Sequence, residues 1–243
     1  MNIISRRGFL STGAAASALA LGACQTTTST TPAAVPAASP RMTDDGRVIA
    51  TTRAEPLSPV AERYGIGPIS YEARQDGPHA LRATGMSIIP SEFHRDVVPY
   101  PTRLRPGTIV IDNPERKLFL VLPDGHALRY GIAVGREGFT WRGTGTIYRR
   151  AQWPTWTPTA NMIRRDASLS RFAGGMPGGP QNPLGARALY LMSGGRDQGY
   201  RIHGTPEWWL IGQYVSSGCI RMVNHDVIDL FNRVPNGTRV VTI

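Results

Sequence analysis

The stretch GTIVIDNPERKLFLVLPDGHALRYGIAVG, residues 107–135, decides the fold class. It contains short runs rich in Val, Ile, Leu and Phe, separated by an Asn-Pro pair and by a Pro-Asp-Gly triplet. Such runs, bounded by turn residues, are typical of β-strands. Strands are therefore predicted at 108–112, 117–122 and 127–134. Three strands joined by short turns form a β-meander, so the chain from about Pro106 onward is predicted to be mainly β.

The remainder of this region adds three predicted strands and one helix. The strands are predicted at 188–191, 200–204 and 238–243. In NHDVIDLFNRV, residues 224–234, the apolar side chains recur at helical spacing. Asn224 or Asp226 is the expected N-cap of this helix.

The composition is that of a folded, globular chain, with 41% hydrophobic and 18% charged residues among 243. The formal net charge is +10, carried by 26 arginines and one lysine. This charge favours an anionic partner such as a nucleic acid, a membrane surface or an acidic polymer. Since no dense basic run with interleaved aromatic residues is present, a nucleic-acid partner is not expected.

The first 24 residues have the features of an export signal. Arg6 and Arg7 precede an Ala-rich apolar stretch that is too short to span a membrane. The SRRGFL core resembles a twin-arginine signal, and LGAC at 21–24 resembles a bacterial lipobox, in which Cys24 would be lipidated. We therefore expect removal of residues 1–23, which leaves a net charge of +8, and a periplasmic lipoprotein anchored through Cys24. The sequence leaves open whether the inner or the outer membrane holds it.

Three regions are expected to follow the signal. Residues 24–46 are rich in Thr, Pro, Ala and Ser, so they are predicted to form a flexible tether. Residues 47–105 are predicted to be an irregular arm of short helical or extended pieces, packed against the domain that follows. Residues 106–243 form that domain.

The second cysteine, Cys219, lies in YVSSGCIRM, residues 214–222. If Cys24 carries a lipid, Cys219 has no intramolecular partner, and an exported protein rarely keeps an unused thiol. A thiol becomes a nucleophile when a nearby base removes its proton. His203, sixteen residues upstream, is the expected base. Gly218 permits a tight backbone in which the N–H groups of Gly218 and Cys219 form a candidate oxyanion hole.

Other interpretations remain open from the residues alone. A lone cysteine is usually a small core residue, and a lone histidine is usually structural. His225 is near enough in sequence to be a rival base, and Ser216 or Ser217 is a possible nucleophile although the Gly-x-Ser-x-Gly signature is absent. Because one cysteine and scattered histidines lack zinc-ligand spacing, no metal is expected. The histidines interpreted as structural are His79, His94 and His126.

The segment IHGTPEWWLIGQYVSSGCIRMVNHDVIDLFNRVPNGTRVVTI, residues 202–243, resembles the catalytic end of L,D-transpeptidase (YkuD-type) domains. That family carries His-Gly-Thr, a spacer, Ser-x-Gly-Cys with an apolar residue and Arg, then a helix and a Gly-Thr-x-Val strand. The resemblance continues in WPTWTPTANMI and NPLGARALYL and covers about 106–243. It implies a mainly β fold: an L,D-transpeptidase-type β-sandwich with one or few short helices, preceded by an irregular N-terminal arm.

The resemblance also implies roles for individual residues. Cys219 would be the nucleophile, His203 the general base, and the carbonyl of Gly204 or its neighbour would hold the imidazole tautomer. Arg221 would either bind a substrate carboxylate or brace the loop through a salt bridge. Many members have a second histidine where this chain has Ser217, so His203 is expected to hold Cys219 as a thiolate near neutral pH. The other residues expected in the site are Gly218, Ser216, Ser217 and Trp208, the last three on the substrate side.

The implied substrate is the stem peptide of peptidoglycan. Cys219 would attack the carbonyl of the third residue and expel the terminal D-amino acid, and an amine of another stem would resolve the thioester into a 3→3 cross-link. No metal or organic cofactor is implied. A thioester hydrolase, an enzyme that attaches proteins to peptidoglycan, and a non-catalytic wall-binding lipoprotein remain as alternatives. The sequence predicts no oligomeric state.

Overall fold

The computed structural model describes residues 51–136, 141–216 and 218–243, apart from the side chain of residue 198, and the backbone of two short strands before them. The expected export signal, Cys24, most of the tether and Ser217 lie outside the described residues. No helix in the described part of the chain is long and apolar enough to cross a membrane.

Short strands dominate the described residues, which confirms the predicted mainly β fold with few short helices. The strands are β1 (Arg41–Met42), β2 (Val48–Ile49), β3 (Arg74–Asp76), β4 (His79–Leu81), β5 (Asp96–Pro99), β6 (Ile109–Asp112), β7 (Lys117–Val121), β8 (His126–Gly135), β9 (Gly143–Gln152), β10 (Arg187–Ser193), β11 (Arg196–Thr205), β12 (Tyr214–Ser216), β13 (Ile220–Val223) and β14 (Arg239–Thr242). The α-helices are α1 (Ala160–Arg165) and α2 (Asn224–Arg233). The 3₁₀-helices are Pro59–Tyr64, Met86–Ile88, Ser91–Phe93, Ala167–Phe172 and Trp208–Leu210.

Ten strands form one sheet that folds over on itself. The neighbour order is β12, β8, β13, β11, β10, β9, β14, β6, β7, with β5 also paired to β8. β8 pairs with β7 as well, so the path from β8 to β7 closes. The first half of β8 lies between β5 and β7, and its last residues pair with β12 and β13. One long strand therefore closes the sheet and pairs with four other strands.

The main core combines buried strand residues of the closed sheet, such as Ile109 and Leu128, with the apolar face of α2. The helix contacts β10, β11 and β13, and its apolar side chains Val227, Leu230 and Phe231 are buried against Ile202 and Met222. Burial of each such side chain contributes about 1.5–3 kcal/mol. The helix thereby packs against β11 and β13 on the face opposite to the one that carries His203 and Arg221.

The predicted N-cap of α2 is wrong. The N-cap residue is Val223, which makes no side-chain capping bond. Asn224 instead donates through Nδ2 to Thr205 O at 3.1 Å and accepts at Oδ1 from Ala186 N at 2.9 Å. Asp226 accepts a hydrogen bond from a tyrosine of the arm. Both side chains serve contacts between distant segments, which short-range capping rules do not consider.

The described part of the arm consists of short helical and extended pieces that pack closely on the domain. β5 joins the main sheet, and β3 and β4 form a hairpin. Phe93 lies so close to β8 that a Cβ on Gly131 would collide with the Phe93 backbone carbonyl. A second apolar cluster joins arm residues to the domain; its buried members are Tyr71, Met86, Ile89, Phe93, Ala133, Ile211 and Val223. The arm is thus part of the packed structure.

Buried polar contacts also join the arm to α2. Tyr71 Oη donates to Asp226 Oδ1 at 2.7 Å, and both residues are buried. Burial raises the pKa of Asp226 to about 7, against the lowering effect of the Tyr71 hydrogen bond and of Arg95. Asp229, one helical turn later, lies 2.8 Å from Arg95 Nε. Although burial acts in the opposite direction, the arginines around Asp229 hold its pKa below the ordinary value.

Candidate active site

Two parallel strands place the candidate catalytic residues next to each other. β11 pairs with β13 in the register Ile202 to Ile220 and His203 to Arg221. Cys219 directly precedes β13, so it lies on the same face as Arg221 and diagonally across from His203. Diagonal neighbours on one face of a sheet are about 7–8 Å apart and within reach of long side chains. The strand pairing therefore brings together the two residues that the sequence predicts as base and nucleophile.

His203 is a buried, neutral imidazole. Its Nδ1 lies 2.6 Å from Gly204 O, the contact expected from the sequence. Burial lowers the pKa of His203 to about 4; the bond to Gly204 opposes this shift, and the positive charges of Arg221 and Arg201 add to it. Since a carbonyl only accepts, Nδ1 carries the proton and Nε2 keeps a free lone pair. The imidazole is thus set up to accept a proton at Nε2.

Cys219 rests as a thiol. It is partly exposed, and Sγ donates to Gly199 O at 3.8 Å. Burial of the sulfur raises the pKa of Cys219, and nearby Arg201 and Arg221 only partly oppose that shift. The expected thiolate at neutral pH is therefore wrong for the resting site, because burial penalises both the thiolate and the imidazolium that would stabilise it.

Ser216 braces the turn that presents Cys219. Its buried Oγ donates to Cys219 O at 2.6 Å and accepts from Gly218 N at 3.1 Å. Gly218 has φ +121°, a backbone conformation that L side chains rarely adopt. The structure thus places the Ser216 hydroxyl within the turn, whereas the sequence places it on the substrate side. It also occupies the Gly218 N–H, one of the two expected oxyanion donors.

Arg221 and Trp208 lie beside this turn. Arg221 Nη1 is 3.0 Å from Glu207 Oε2, so the side chain forms the bracing salt bridge that the sequence left as one of two options. Trp208 is half-buried against the cluster that contains Phe93, and its ring meets that of Trp209 edge-on at 5.6 Å. Trp209 is 49% exposed. Of the two indoles, Trp209 is therefore the more accessible to a ligand.

The other histidines make structural contacts. His225 is buried, with Nδ1 3.0 Å from Thr84 Oγ1 and Nε2 3.0 Å from Glu72 O. Both ring nitrogens are engaged with the arm, so His225 is not a base for Cys219. His94 and His126 likewise bond to neighbouring backbone groups, and the His79 ring packs on Trp153 at 4.7 Å. Within the described ranges, no three His, Cys, Asp or Glu side chains are grouped to hold a metal ion.

Sequence reasoning missed Arg201. It lies two residues before His203 on β11, and its positive charge acts on the pKa of both His203 and Cys219. Side chains alternate between the faces of a strand, so residues two apart share a face. That alternation, applied to the predicted strand at 200–204, could have identified Arg201 as a neighbour of the site.

Comparison with known proteins agrees with this geometry. Residues 106–242 match the family YkuD, the L,D-transpeptidase catalytic domain. The chain is 36% identical over 200 residues to the probable L,D-transpeptidase ErfK/SrfK of Escherichia coli K12, covering 78% of this chain and 59% of that protein. It is 32% identical over 235 residues to the probable L,D-transpeptidase YbiS of the same strain, covering 93% of this chain and 72% of that protein.

One solved structure has a higher sequence identity to this chain than these two relatives. That chain, from Brucella melitensis, is described as a probable carnitine operon oxidoreductase and is 49% identical, with 64% of this chain and 96% of that chain covered. Its TM-score is 0.45. The present chain spans about three fifths of the length of ErfK/SrfK. With a family match over more than half of its residues, the chain belongs to the YkuD family of L,D-transpeptidase catalytic domains.

Proposed function

We propose that this chain is a peptidoglycan L,D-transpeptidase that transfers the acyl group of a stem tetrapeptide through Cys219 to an amine acceptor. The observation that carries the proposal is the parallel pairing of β11 with β13, which sets Cys219, the residue directly before β13, diagonally across from His203 in a chain that belongs to this family. The tautomer fixed by Gly204 leaves Nε2 of His203 free to accept a proton.

In the first half of the reaction, Sγ of Cys219 attacks the carbonyl carbon of the third stem residue. Because thiol and imidazole are both neutral at rest, the thiol proton passes to His203 Nε2 as the carbon–sulfur bond forms. The backbone N–H of Cys219 stabilises the oxyanion; the Gly218 N–H joins it when its bond to Ser216 opens. The carbon–nitrogen bond then breaks, and the terminal D-amino acid takes the proton from His203 and leaves.

In the second half, an amine acceptor attacks the thioester. His203 Nε2 takes a proton from that amine and returns it to Sγ as the sulfur leaves, which restores the thiol and completes a 3→3 cross-link. Arg221 keeps the loop in place through Glu207, and we expect its guanidinium to bind a substrate carboxylate as well. Ser217 and Trp208 complete the proposed substrate side.

The proposal includes a location for the enzyme. Residues 1–23 act as the export signal, Cys24 carries a lipid in the periplasm, and 24–46 tether the arm and the catalytic domain to the membrane. A net charge of +8 after signal removal suits an anionic wall polymer. Tethering keeps the domain at a high effective concentration near the wall.

The test is incubation of the full chain with purified tetrapeptide muropeptides, with products identified by mass. Cross-linked dimers would support transpeptidation. Free tripeptide as the only product would show that water resolves the thioester and that the chain is a hydrolase. Binding without turnover would point to a non-catalytic wall-binding protein. Transfer of the stem to the amine of an added protein would point to an enzyme that attaches proteins to peptidoglycan.

Two variants test the roles of the catalytic pair. Cys219→Ala should abolish the acyl-enzyme, and its acylation by a carbapenem-type probe would overturn the nucleophile assignment. His203→Gln should slow acylation about 10²–10⁴-fold, the range for loss of a general base. A His203→Gln variant with an unchanged acylation rate would remove His203 from the mechanism.

A further inference from the structure

A strip of two arginines and a tyrosine crosses the sheet face that carries Cys219. This arginine strip consists of Arg149 on β9, Tyr190 on β10 and Arg201 on β11. Tyr190 is the register partner of both arginines, and residues directly opposite each other in antiparallel strands share a face. The guanidinium carbons of Arg149 and Arg201 lie 4.7 and 4.9 Å from the centre of the Tyr190 ring. The ring therefore holds both cations by cation–π contact.

The strip begins at the thiol. Ile202 pairs with Ile220, so the preceding residues, Arg201 and Cys219, are neighbours across β11 and β13. Adjacent strands are about 4.8 Å apart, which puts Arg201 one strand spacing from Cys219 and Arg149 three spacings away, about 14 Å. The strip thus leads from the reacting sulfur outward across the sheet.

The strip presents positive charge to solvent. The acid that faces it is Asp197, which accepts from Tyr148 Oη at 2.9 Å and from Gly199 N at 2.8 Å, and lies 3.4 Å from Arg201 Nη2. Asp197 therefore offsets part of the charge of Arg201. Arg149 is exposed, and among the residues described it has no carboxylate partner.

We propose, as an extension of the proposed function, that the arginine strip binds a carboxylate of the acyl-donor stem on the amino-terminal side of the carbonyl that Cys219 attacks. One to two residues of extended peptide cover about 3.5–7 Å. A stem laid across the strands from Cys219 would therefore bring its second residue to the strand of Arg201. The side chain of that residue would extend the carboxylate toward Tyr190, over whose ring the guanidinium groups of both arginines lie. Guanidinium groups match carboxylates in shape and can bind them through two parallel hydrogen bonds. The strip selects an acidic donor and orients it before acylation.

The experiment separates binding from chemistry. The full chain with Cys219→Ala is titrated with two synthetic tetrapeptide stems that carry either a carboxylate or a carboxamide at the second residue. We expect the carboxylate stem to bind about tenfold more tightly, and this preference to shrink as ionic strength rises. Adding Arg149→Gln should reduce the preference to about twofold, whereas Arg149→Lys should keep an intermediate value.

Arg105→Gln is the matched control. Arg105 is also exposed, precedes β6 and lies outside the strip, so its loss changes the net charge equally and should leave the preference at its original value. If Arg149→Gln and Arg105→Gln lose the preference for the carboxylate stem equally, the preference arises from the overall charge of the protein. That result would disprove the proposed binding site. Equal affinity of the two stems for the Cys219→Ala chain, or binding of neither, would overturn it too.

The two proposals fail in different ways. If the chain with Cys219 intact forms no acyl-enzyme with either stem, while the Cys219→Ala chain still prefers the carboxylate through Arg149, transpeptidation is wrong and the strip stands as a binding site. If acylation proceeds at the same rate for both stems and in Arg149→Gln, transpeptidation stands and the strip is wrong.

Discussion

Replacing Asp226 by asparagine should remove a large pH dependence from the stability of the fold. Asp226 is buried on α2, and Tyr71 of the arm donates to it at 2.7 Å. Its folded pKa of about 7 lies above the ordinary value of 3.8. The folded state therefore holds a proton that the unfolded state releases between these two values. Stability from this group is fully present below pH 3.8 and is lost as the pH rises toward 7.

The size of the effect follows from the interval between the two pKa values. At 1.36 kcal/mol per unit, the chain with Asp226 should lose about 4 kcal/mol of unfolding free energy from this group between pH 4 and pH 8. An asparagine side chain cannot ionise, so Asp226→Asn should lack that loss. The buried amide has a cost of about 1–3 kcal/mol, but that cost is the same at every pH and cancels in the comparison.

The assay is urea unfolding of the full chain at pH values from 4 to 8. The original chain should become less stable relative to Asp226→Asn across this range. Glu62→Gln, which removes an exposed carboxylate from the arm, should follow the original chain. Parallel profiles for the original chain and Asp226→Asn, within about 1 kcal/mol, would refute the reasoning.

Three further outcomes are expected. Asp229→Asn should act with the opposite sign: the pKa of Asp229 is held low, so the variant should be less stable near pH 7 in urea unfolding, and the deficit should shrink as the pH falls through that lowered pKa. Gly204→Ala should lower stability by about 1–3 kcal/mol and slow acylation, because its Cβ would collide with Asn224 Oδ1; Gly174→Ala, whose Cβ meets nothing within 4 Å, should do neither. Cys24→Ser should move the protein from the membrane to the soluble fraction on ultracentrifugation, and a variant that still sediments with membranes would disprove the lipid anchor.

The sequence predicted the strands whose side chains repeat in a simple pattern. The predicted strands at 108–112, 117–122 and 127–134 correspond to β6, β7 and β8 within one or two residues at each end. β9 was missed, because GTGTIYRRAQ contains few apolar residues and only Gly145 and Ile147 are buried in it. Its arginines lie over Tyr190 and Phe231, and such long-range contacts leave no periodic signal.

For the candidate site, the sequence predicted which residues come together better than it predicted their protonation states and hydrogen bonds. A motif fixes which residues occur together, and the structure places His203 on β11 and Cys219 directly before β13, the strand that pairs with β11. Their protonation depends on burial and on cations contributed by other segments, which is why the expected thiolate was wrong. The bracing role of Ser216 depends on the direction of one hydroxyl, which residue type does not determine.

The pairing of β8 with four other strands makes unfolding of the sheet cooperative. β8 pairs with β5 and β7 in its first half and with β12 and β13 at its end. If β8 leaves its place in the sheet, all four of these strands therefore lose a hydrogen-bonded neighbour. β13 begins directly after Cys219 and is hydrogen-bonded to β8. We therefore expect the segment around the thiol to open mainly when the whole molecule unfolds. Hydrogen exchange of the β13 amides should therefore report the stability of the whole molecule.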